Sequence, residues 1–309
     1  MTSAASALDV ELKSILLSTD LSSASVKPLH HALAIARHYR AKLYIAHVVS
    51  AAPYLMAGPE ALELGCQGAS RDVKRLQNEL WDNGALNGID HEFIVQSGCV
   101  WDELQTIILQ KQIGLAVVGT HGRRGLEKLI WGSVAEEVFR DAGCPVLTIG
   151  PHSYREARVD FPEEDRSFLF ATDFSEASLG ALPHAVSFAS RMKARLILLH
   201  VVPAGPITQI PGWYGASEIV AMRENARMAC VRQLELLACE GEAPIETELA
   251  VQFGIPSEKI LQVALGKKVD LIILGLRRSS LVGPISHMPW ATAYEIVSGA
   301  GCPVLTVRQ

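Results

Sequence analysis

The sequence predicts an α/β protein of two tandem, doubly wound units, each a parallel sheet with helices on both faces. Three observations carry this. Short apolar runs alternate with segments of helical period, the pattern of strand–helix–strand crossovers. The same order of runs occurs twice along the chain. Between the copies, residues 151–166 are rich in charge and contain Pro151 and Pro162, the composition of a linker. The domains are therefore expected at 1–150 and 167–309.

In the first unit the apolar run from Lys13 to Thr19 reads as a buried strand. Val26, Leu29, Leu33 and Ala36 follow at the spacing of one helix face. Leu43 to Val49 is the second strand, and Ser70 to Leu80 a helix. Glu92 to Gln96, Leu115 to Val118 and Pro145 to Ile149 complete the strands, with helices expected over Trp101 to Leu109 and Ser133 to Arg140. Ser50 to Ala69, with Pro53, Tyr54, Met56 and Pro59, reads as a long excursion after the second strand. Pro203 to Ser217 is its counterpart in the other half, ahead of a helix over Glu218 to Ala238. Such loops serve as flaps over a crevice, as subunit contacts or as plain packing.

The repeat is direct. LLSTDLSSAS from Leu16 to Ser25 answers to LFATDFSEAS from Leu169 to Ser178, and AKLYIAHVV from Ala41 to ARLILLHVV from Ala194. GCPVLTI from Gly143 answers to GCPVLTV from Gly301. Units of this length are duplicated domains rather than solenoid repeats.

Composition narrows the function classes. The chain has 309 residues, 49% hydrophobic and 20% charged, which suits well-filled globular cores. A net charge of −5 gives no electrostatic reason to expect nucleic acid or an anionic membrane as partner. No apolar run reaches membrane-spanning length, and Met1 to Lys13 has neither the basic start nor the apolar core of a secretory signal. Six cysteines without a Cys-x-x-Cys pair are neither a disulfide framework nor a zinc site, so a reduced, cytoplasmic protein is expected. His30, His31, His47 and His200 raise the question of a metal, but their spacing is not that of a zinc site and matched histidines point to packing.

The chemistry concentrates after the fourth strand. Gly119-Thr120-His121-Gly122 is followed, nine residues on, by Gly132-Ser133 at the start of a helix. Glycines let backbone amides approach an anion, and helix-opening amides carry partial positive charge, so strand, glycine loop and helix together suit a phosphate. The plainer reading is a chain turn with Ser133-x-x-Glu136 as a capping box. Asp20 ends the first strand, where a carboxylate either accepts bonds from sugar hydroxyls or caps the next helix.

The pattern Gly-x2-Gly-x9-Gly-Ser, with Val117 before it, Cys144-Pro145-Val146 after it, and strands ending in Thr19-Asp20 and His47-Val48, resembles the universal stress protein family. The resemblance covers both halves. It implies an adenine nucleotide alpha hydrolase-like fold with five-stranded sheets in the order 3-2-1-4-5. It also implies pairing of the halves through their last strands as an intramolecular pseudo-dimer, which a further homodimer would extend. It implies ATP with Mg²⁺ bound at Ser18, Asp20, Val48, Val118, Gly119, His121, Gly122, Gly132, Ser133 and Val134, the Val48 backbone meeting the adenine edge and Asp20 the ribose or a metal-linked water. Arg123 and Arg124 are weaker phosphate candidates.

The second half departs from the motif. Gly275 matches Gly119, but Arg278 stands for Gly122, Trp290 for Gly132 and Ala291 for Ser133, in a loop two residues longer with Pro284 and Pro289. An indole there blocks a close phosphate, so this half is not expected to bind ATP as the first does, while Thr292-x-x-Glu295 still offers a helix cap.

The expected function is that of an ATP-binding stress-response regulator, nucleotide in the first domain. The alternatives are a nucleotide-free scaffold or partner-binding protein, and a slow ATPase. No Walker sequence, acid–base pair or activated nucleophile appears, so at most slow hydrolysis is expected.

Overall fold

The computed structural model describes residues 10–54, 56–120, 132–153, 166–203, 215–240, 245–277 and 291–308. The chain divides into two compact units. One takes in Glu11–Phe161 with Gly301–Thr306; the other takes in Met1–Val10, Pro162–Ala300 and Val307–Gln309.

The first unit follows the expected alternation. Its strands are β1 (Ser14–Ser18), β2 (Lys42–Ser50), β3 (His91–Gly98), β4 (Leu115–Gly119) and β5 (Val146–Ile149). Its helices are α1 (Val26–Tyr39), α2 (Pro59–Asp82), α3 (Val100–Gln110) and α4 (Ser133–Asp141). The five strands are all parallel, in the order β3-β2-β1-β4-β5. Ile15, Leu16 and Leu17 in β1 are almost wholly buried because a central parallel strand has helices over both faces. On one face Leu104 and Ile107 of α3 and Val138 of α4 pack on Leu16, Ala46 and Ala116.

The expected excursion from Ser50 to Ala69 is mostly helix. Pro59 opens α2 after the N-cap Gly58 (φ 84°), so the proline begins an element instead of interrupting one. Pro is favoured at this position because its missing N–H has no intrahelical acceptor to lose and its φ is already helical.

In the second unit β6 (Ser167–Thr172), β7 (Arg195–Pro203), β8 (Thr247–Gly254) and β9 (Leu271–Leu276) are parallel, in the order β8-β7-β6-β9. The helices are α5 (Glu176–Leu179), α6 (Leu182–Arg191), α7 (Ala216–Glu240), α8 (Pro256–Gly266) and α9 (Ala291–Gly299). The chain then returns to the first unit with Gly301–Thr306, where β10 (Val304–Arg308) pairs antiparallel with β5, Val304 opposite Thr148 and Leu305 opposite Leu147. No helix among the described residues is long and apolar enough to cross a membrane.

Candidate functional site

In the first unit the strand order reverses at β1, with β2 on one side and β4 on the other. Ligands of doubly wound sheets bind at the carboxyl ends of the strands beside such a reversal. The elements converging there are the turn after β1, the end of β2, the end of β4 and the start of α4.

The turn after β1 is built around Asp20. Its Oδ1 accepts from the Ser22 amide at 3.0 Å and from the hydroxyls of Ser22 and Ser25 at 2.7 Å each. These bonds, with the Leu21 amide donating to Thr19 Oγ1 at 3.0 Å, hold Leu21 at φ 60°, a left-handed conformation that a branched side chain enters at some cost. Asp20 is therefore the hub of a turn and not a helix cap: the N-caps of the short 3-10 turn Ser23–Ser25 and of α1 are Ser22 and Ser25. The serines bonded to it, Ser22 and Ser25, were not singled out by sequence reasoning; their repetition beside the strand-end aspartate was the available signal.

His47 pins the end of β1. Its Nδ1 lies 2.8 Å from the Thr19 carbonyl, and since a carbonyl only accepts, this nitrogen carries the proton. Among the described residues there is no group of three or more His, Cys, Asp or Glu side chains placed to hold a metal ion.

The ladder between β1 and β2 ends with Ser18 opposite Ala46, followed by the Thr19 amide donating to the Ala46 carbonyl at 3.0 Å. Val48 lies two residues further along β2. By the period of a strand it turns the same backbone edge as Ala46 toward β1, beyond the point where β1 has ended. Its side chain, with Val118 of β4 and Val134 of α4, belongs to the apolar cluster beneath α3 and α4. Ser18 is half-buried at the last rung of β1.

The glycine loop is bounded by a closed base. Gly119 is paired with Ile149, and Thr120, almost fully buried, donates its amide to the Ile149 carbonyl at 3.1 Å. The Gly132 amide then donates to the Thr120 carbonyl at 2.9 Å, so the chain leaves and re-enters at one point. His121, Gly122, Arg123 and Arg124 lie outside the described residues.

Gly132 is the N-cap of α4, and the first helical bond runs from the Glu136 amide to its carbonyl at 3.1 Å. The expected capping box is thus displaced by one residue: Ser133 is the first helical residue and caps nothing. The amides of Ser133, Val134 and Ala135 precede the first helical bond and have no intrahelical acceptor, which gives this end its partial positive charge. Gly132 sits at an ordinary φ of −63°, is exposed, and a Cβ added to it would meet only the Thr120 carbonyl at 3.7 Å. Neither packing nor backbone angle requires glycine there, although glycine is a favoured N-cap residue.

The second unit repeats the strand-end geometry. The Phe174 amide donates to Thr172 Oγ1 at 2.9 Å, the Ser175 amide to Asp173 Oδ1 at 2.9 Å, and Phe174 stands at φ 61°. His200 Nδ1 donates to the Thr172 carbonyl at 2.8 Å, and its ring stacks on Phe174 with centroids 4.4 Å apart. Burial pushes the Asp173 carboxyl up, but the Ser175 hydroxyl and amide and the Ser178 hydroxyl outweigh it and hold Asp173 below the usual carboxylate range. Beside these residues is a cavity of about 400 Å³, lined by Asp173, His200, Val201, Leu274, Gly275 and Ala293 among others.

Gly275 matches Gly119, but its reason is visible in the packing. A Cβ there would lie 2.1 Å from the Ala177 carbonyl oxygen and 2.4 Å from Ser178 Cα, because α5 is seated on β9. Thr292 falls inside the first turn of α9 and so is not its cap. Arg278, Pro284, Pro289 and Trp290 lie outside the described residues.

The family model described as the universal stress protein family matches residues 11–150 and again 166–308, nearly the whole of both halves. The chain belongs to the universal stress protein family. Among its relatives is a universal stress protein of Methanocaldococcus jannaschii, 32% identical over 145 residues that span 44% of this chain and 81% of the relative. A universal stress protein of Mycobacterium tuberculosis is 25% identical over 225 residues, 72% of each chain. A solved universal stress protein from Archaeoglobus fulgidus aligns over 97% of this chain and 99% of its own, with a TM-score of 0.65 at 20% identity, a likeness of fold. The match of the family to each half is the tandem organisation that the internal repeat predicts.

Proposed function

We propose that this universal stress protein is a regulatory protein that binds ATP in its first unit. The observation that carries the reading is Gly132: an exposed N-cap with ordinary backbone angles and room for a side chain, kept as glycine where the open amides of α4 face the end of β4. Packing and backbone angles leave room for a larger residue, and a ligand that must come close to the backbone favours glycine over the other good N-caps, Ser, Asn and Asp. The matched stretches 11–150 and 166–308 support a division into domains 1–150 and 167–309 with a linker at 151–166.

In this reading the backbone edge of Val48, past the end of β1, meets the adenine, and Val118 floors the pocket. Asp20 faces the ribose hydroxyls, and Gly119, His121, Gly122, Gly132, Ser133 and Val134 surround the phosphates. Mg²⁺, which keeps several waters and leans on phosphate oxygens, asks for one or two carboxylates, and Asp20 is suitably placed to hold a metal-bound water. When bound, the ion neutralises phosphate charge. A family member has been solved in complex with cAMP, which makes cAMP the natural competing nucleotide in any binding test.

The test is a thermal melt with and without Mg-ATP. Ligand at roughly a hundred times Kd stabilises by about 2.7 kcal/mol. The reading expects a rise in Tm for the wild-type chain and none for Gly122→Asp; an unchanged wild-type Tm at millimolar Mg-ATP counts against it.

A further inference from the structure

We propose that the outer face of α7 is a self-association surface, on which a second copy of this chain lays the same helix antiparallel across a two-fold axis at Asn225. The surface lies in the second unit and does not rest on the nucleotide reading of the first.

α7 is 25 residues long and packs on β7 and β8. Its support is uneven. Leu234 and Leu237, near its end, are buried, but over residues 217–233 no side chain is. Ile219, Ala226, Cys230 and Val231 are half-buried there and mark the inner side. Arg223, its guanidinium 5.9 Å from the centre of the Phe253 ring, stands on that side too. A helix in a protein draws most of its stability from an apolar face that something covers. Here much of the apolar surface points the other way: Met222 and Met228 are each 47% exposed and Leu236 is 66% exposed. Large exposed side chains of this kind, gathered on one face, mark a contact surface.

The outer face is arranged symmetrically about Asn225. Three positions before it is Met222, and three after it Met228. Four before it is Ala221, and four after it Ala229. Seven before it is Glu218, and seven after it Arg232. All of these residues are exposed. Steps of three, four and seven keep to one side of a helix, so they form a single stripe. A two-fold axis through Asn225 brings each residue opposite its mate. Methionine meets methionine, and alanine meets alanine, which lets the helices approach closely. Asn225 meets its own copy, and Glu218 meets Arg232 at both ends. An isologous dimer requires this self-complementarity, residue i on j and j on i.

Charge sets the direction. In a parallel pair in register Glu218 would face Glu218 and Arg232 would face Arg232, which is repulsive. Turned antiparallel, the same residues form two ion pairs. The Asn225 amide both donates and accepts, so it can bond its own copy and fix the register. Neighbouring charges leave the pairing open. Arg227 is bound to Glu224 at 3.2 Å, off the stripe. The Gly215 amide donates to Oε2 of Glu218 at 2.8 Å, which leaves Oε1. From Glu218 to Arg232 the stripe runs about 21 Å at 1.5 Å per residue. One pair of helices is a small interface, so a dissociation constant on the order of 10 µM is expected.

The experiment is sedimentation equilibrium of the full chain, without nucleotide, from about 1 to about 200 µM. The wild type should pass from monomer to dimer across this range. Arg232→Glu sets like charges opposite each other at both ends and should weaken the dimer at least about tenfold. Adding Glu218→Arg to that variant restores opposite charges in the antiparallel arrangement alone, and should return association to near the wild-type level. Both positions are exposed, and recovery in the double variant separates a lost contact from a lost fold. A wild type that stays monomeric throughout would overturn the proposal and leave the face to a different partner. A dimer that Arg232→Glu does not weaken, or a double variant that does not recover, would each overturn it as well. Because no nucleotide is added, ATP binding by the first unit can fail while this result stands.

Discussion

A methyl group on Gly275 would lie 2.1 Å from the carbonyl oxygen of Ala177. Backbone stands against backbone there, so neither partner can swing aside. We expect Gly275→Ala to destabilise the second unit by about 1–3 kcal/mol, the usual range for overpacking, or more. Gly132→Ala, with 3.7 Å to its nearest neighbour, meets no clash and should cost only the loss of a favoured N-cap residue, about 1 kcal/mol or less. Urea titrations of the two variants check the contrast: two glycines of matching motifs, one held by packing and the other free to serve a ligand.

Helix α1 ends at Arg40, exposed and left-handed at φ 54°, and Lys193 stands at φ 51° in the matching place after α6. Left-handed backbone costs a non-glycine residue roughly 1–2 kcal/mol. Arg40→Gly should therefore raise stability, by about 1 kcal/mol after the entropy of the unfolded glycine is counted. A rise in the urea midpoint without a change in slope is the expected signature.

The alternation of strands and helices was legible because each period is strong and printed twice. Two readings failed for identifiable reasons. Pro59 reads in the sequence as part of a loop, yet a proline at the first helical position starts α2, and sequence alone does not separate the two uses. Ser133-x-x-Glu136 fits a capping box, but the Gly132 amide is bound to the Thr120 carbonyl, and that bond sets the helix start one residue earlier than the motif suggests. The antiparallel pairing of β10 with β5 leaves no local trace, since an apolar strand reads alike whichever way its neighbour runs. At the site, the position of Asp20 was plain; that its Oδ1 gathers Ser22 and Ser25 emerged only from the turn geometry.

Burial pushes the Cys144 thiol up to about 11. It is buried and protonated at neutral pH, whereas Cys99 and Cys239 are exposed. Because the thiolate is the reactive form, iodoacetamide at pH 8 should label Cys99 and Cys239 well before Cys144. Peptide mass spectrometry over a time course reads the order, and Cys144 should catch up only in denaturant.

Asp173 is held below the usual carboxylate range in the folded protein. A group whose folded value is depressed adds stability that is complete above its unfolded value and is lost as pH falls through the folded one. The second unit should accordingly weaken as pH drops below the ordinary carboxylate range. Asp173→Asn should remove that share of the acid dependence while leaving the neutral-pH fold intact. Urea midpoints measured from pH 6 downward, wild type beside variant, test the sign.

The most direct measurement is nucleotide per chain. The protein is saturated with Mg-ATP, desalted and denatured, and the released adenine nucleotide is counted for the wild type and for Gly132→Trp. The account predicts about one nucleotide per wild-type chain, held where glycine lets the amides of α4 reach a phosphate. It predicts a loss of most of that nucleotide in Gly132→Trp, with a melting temperature in the absence of ligand lowered by no more than the loss of one N-cap residue, about 1 kcal/mol. A wild-type chain that retains none, or a Gly132→Trp chain that retains as much as the wild type, would contradict it.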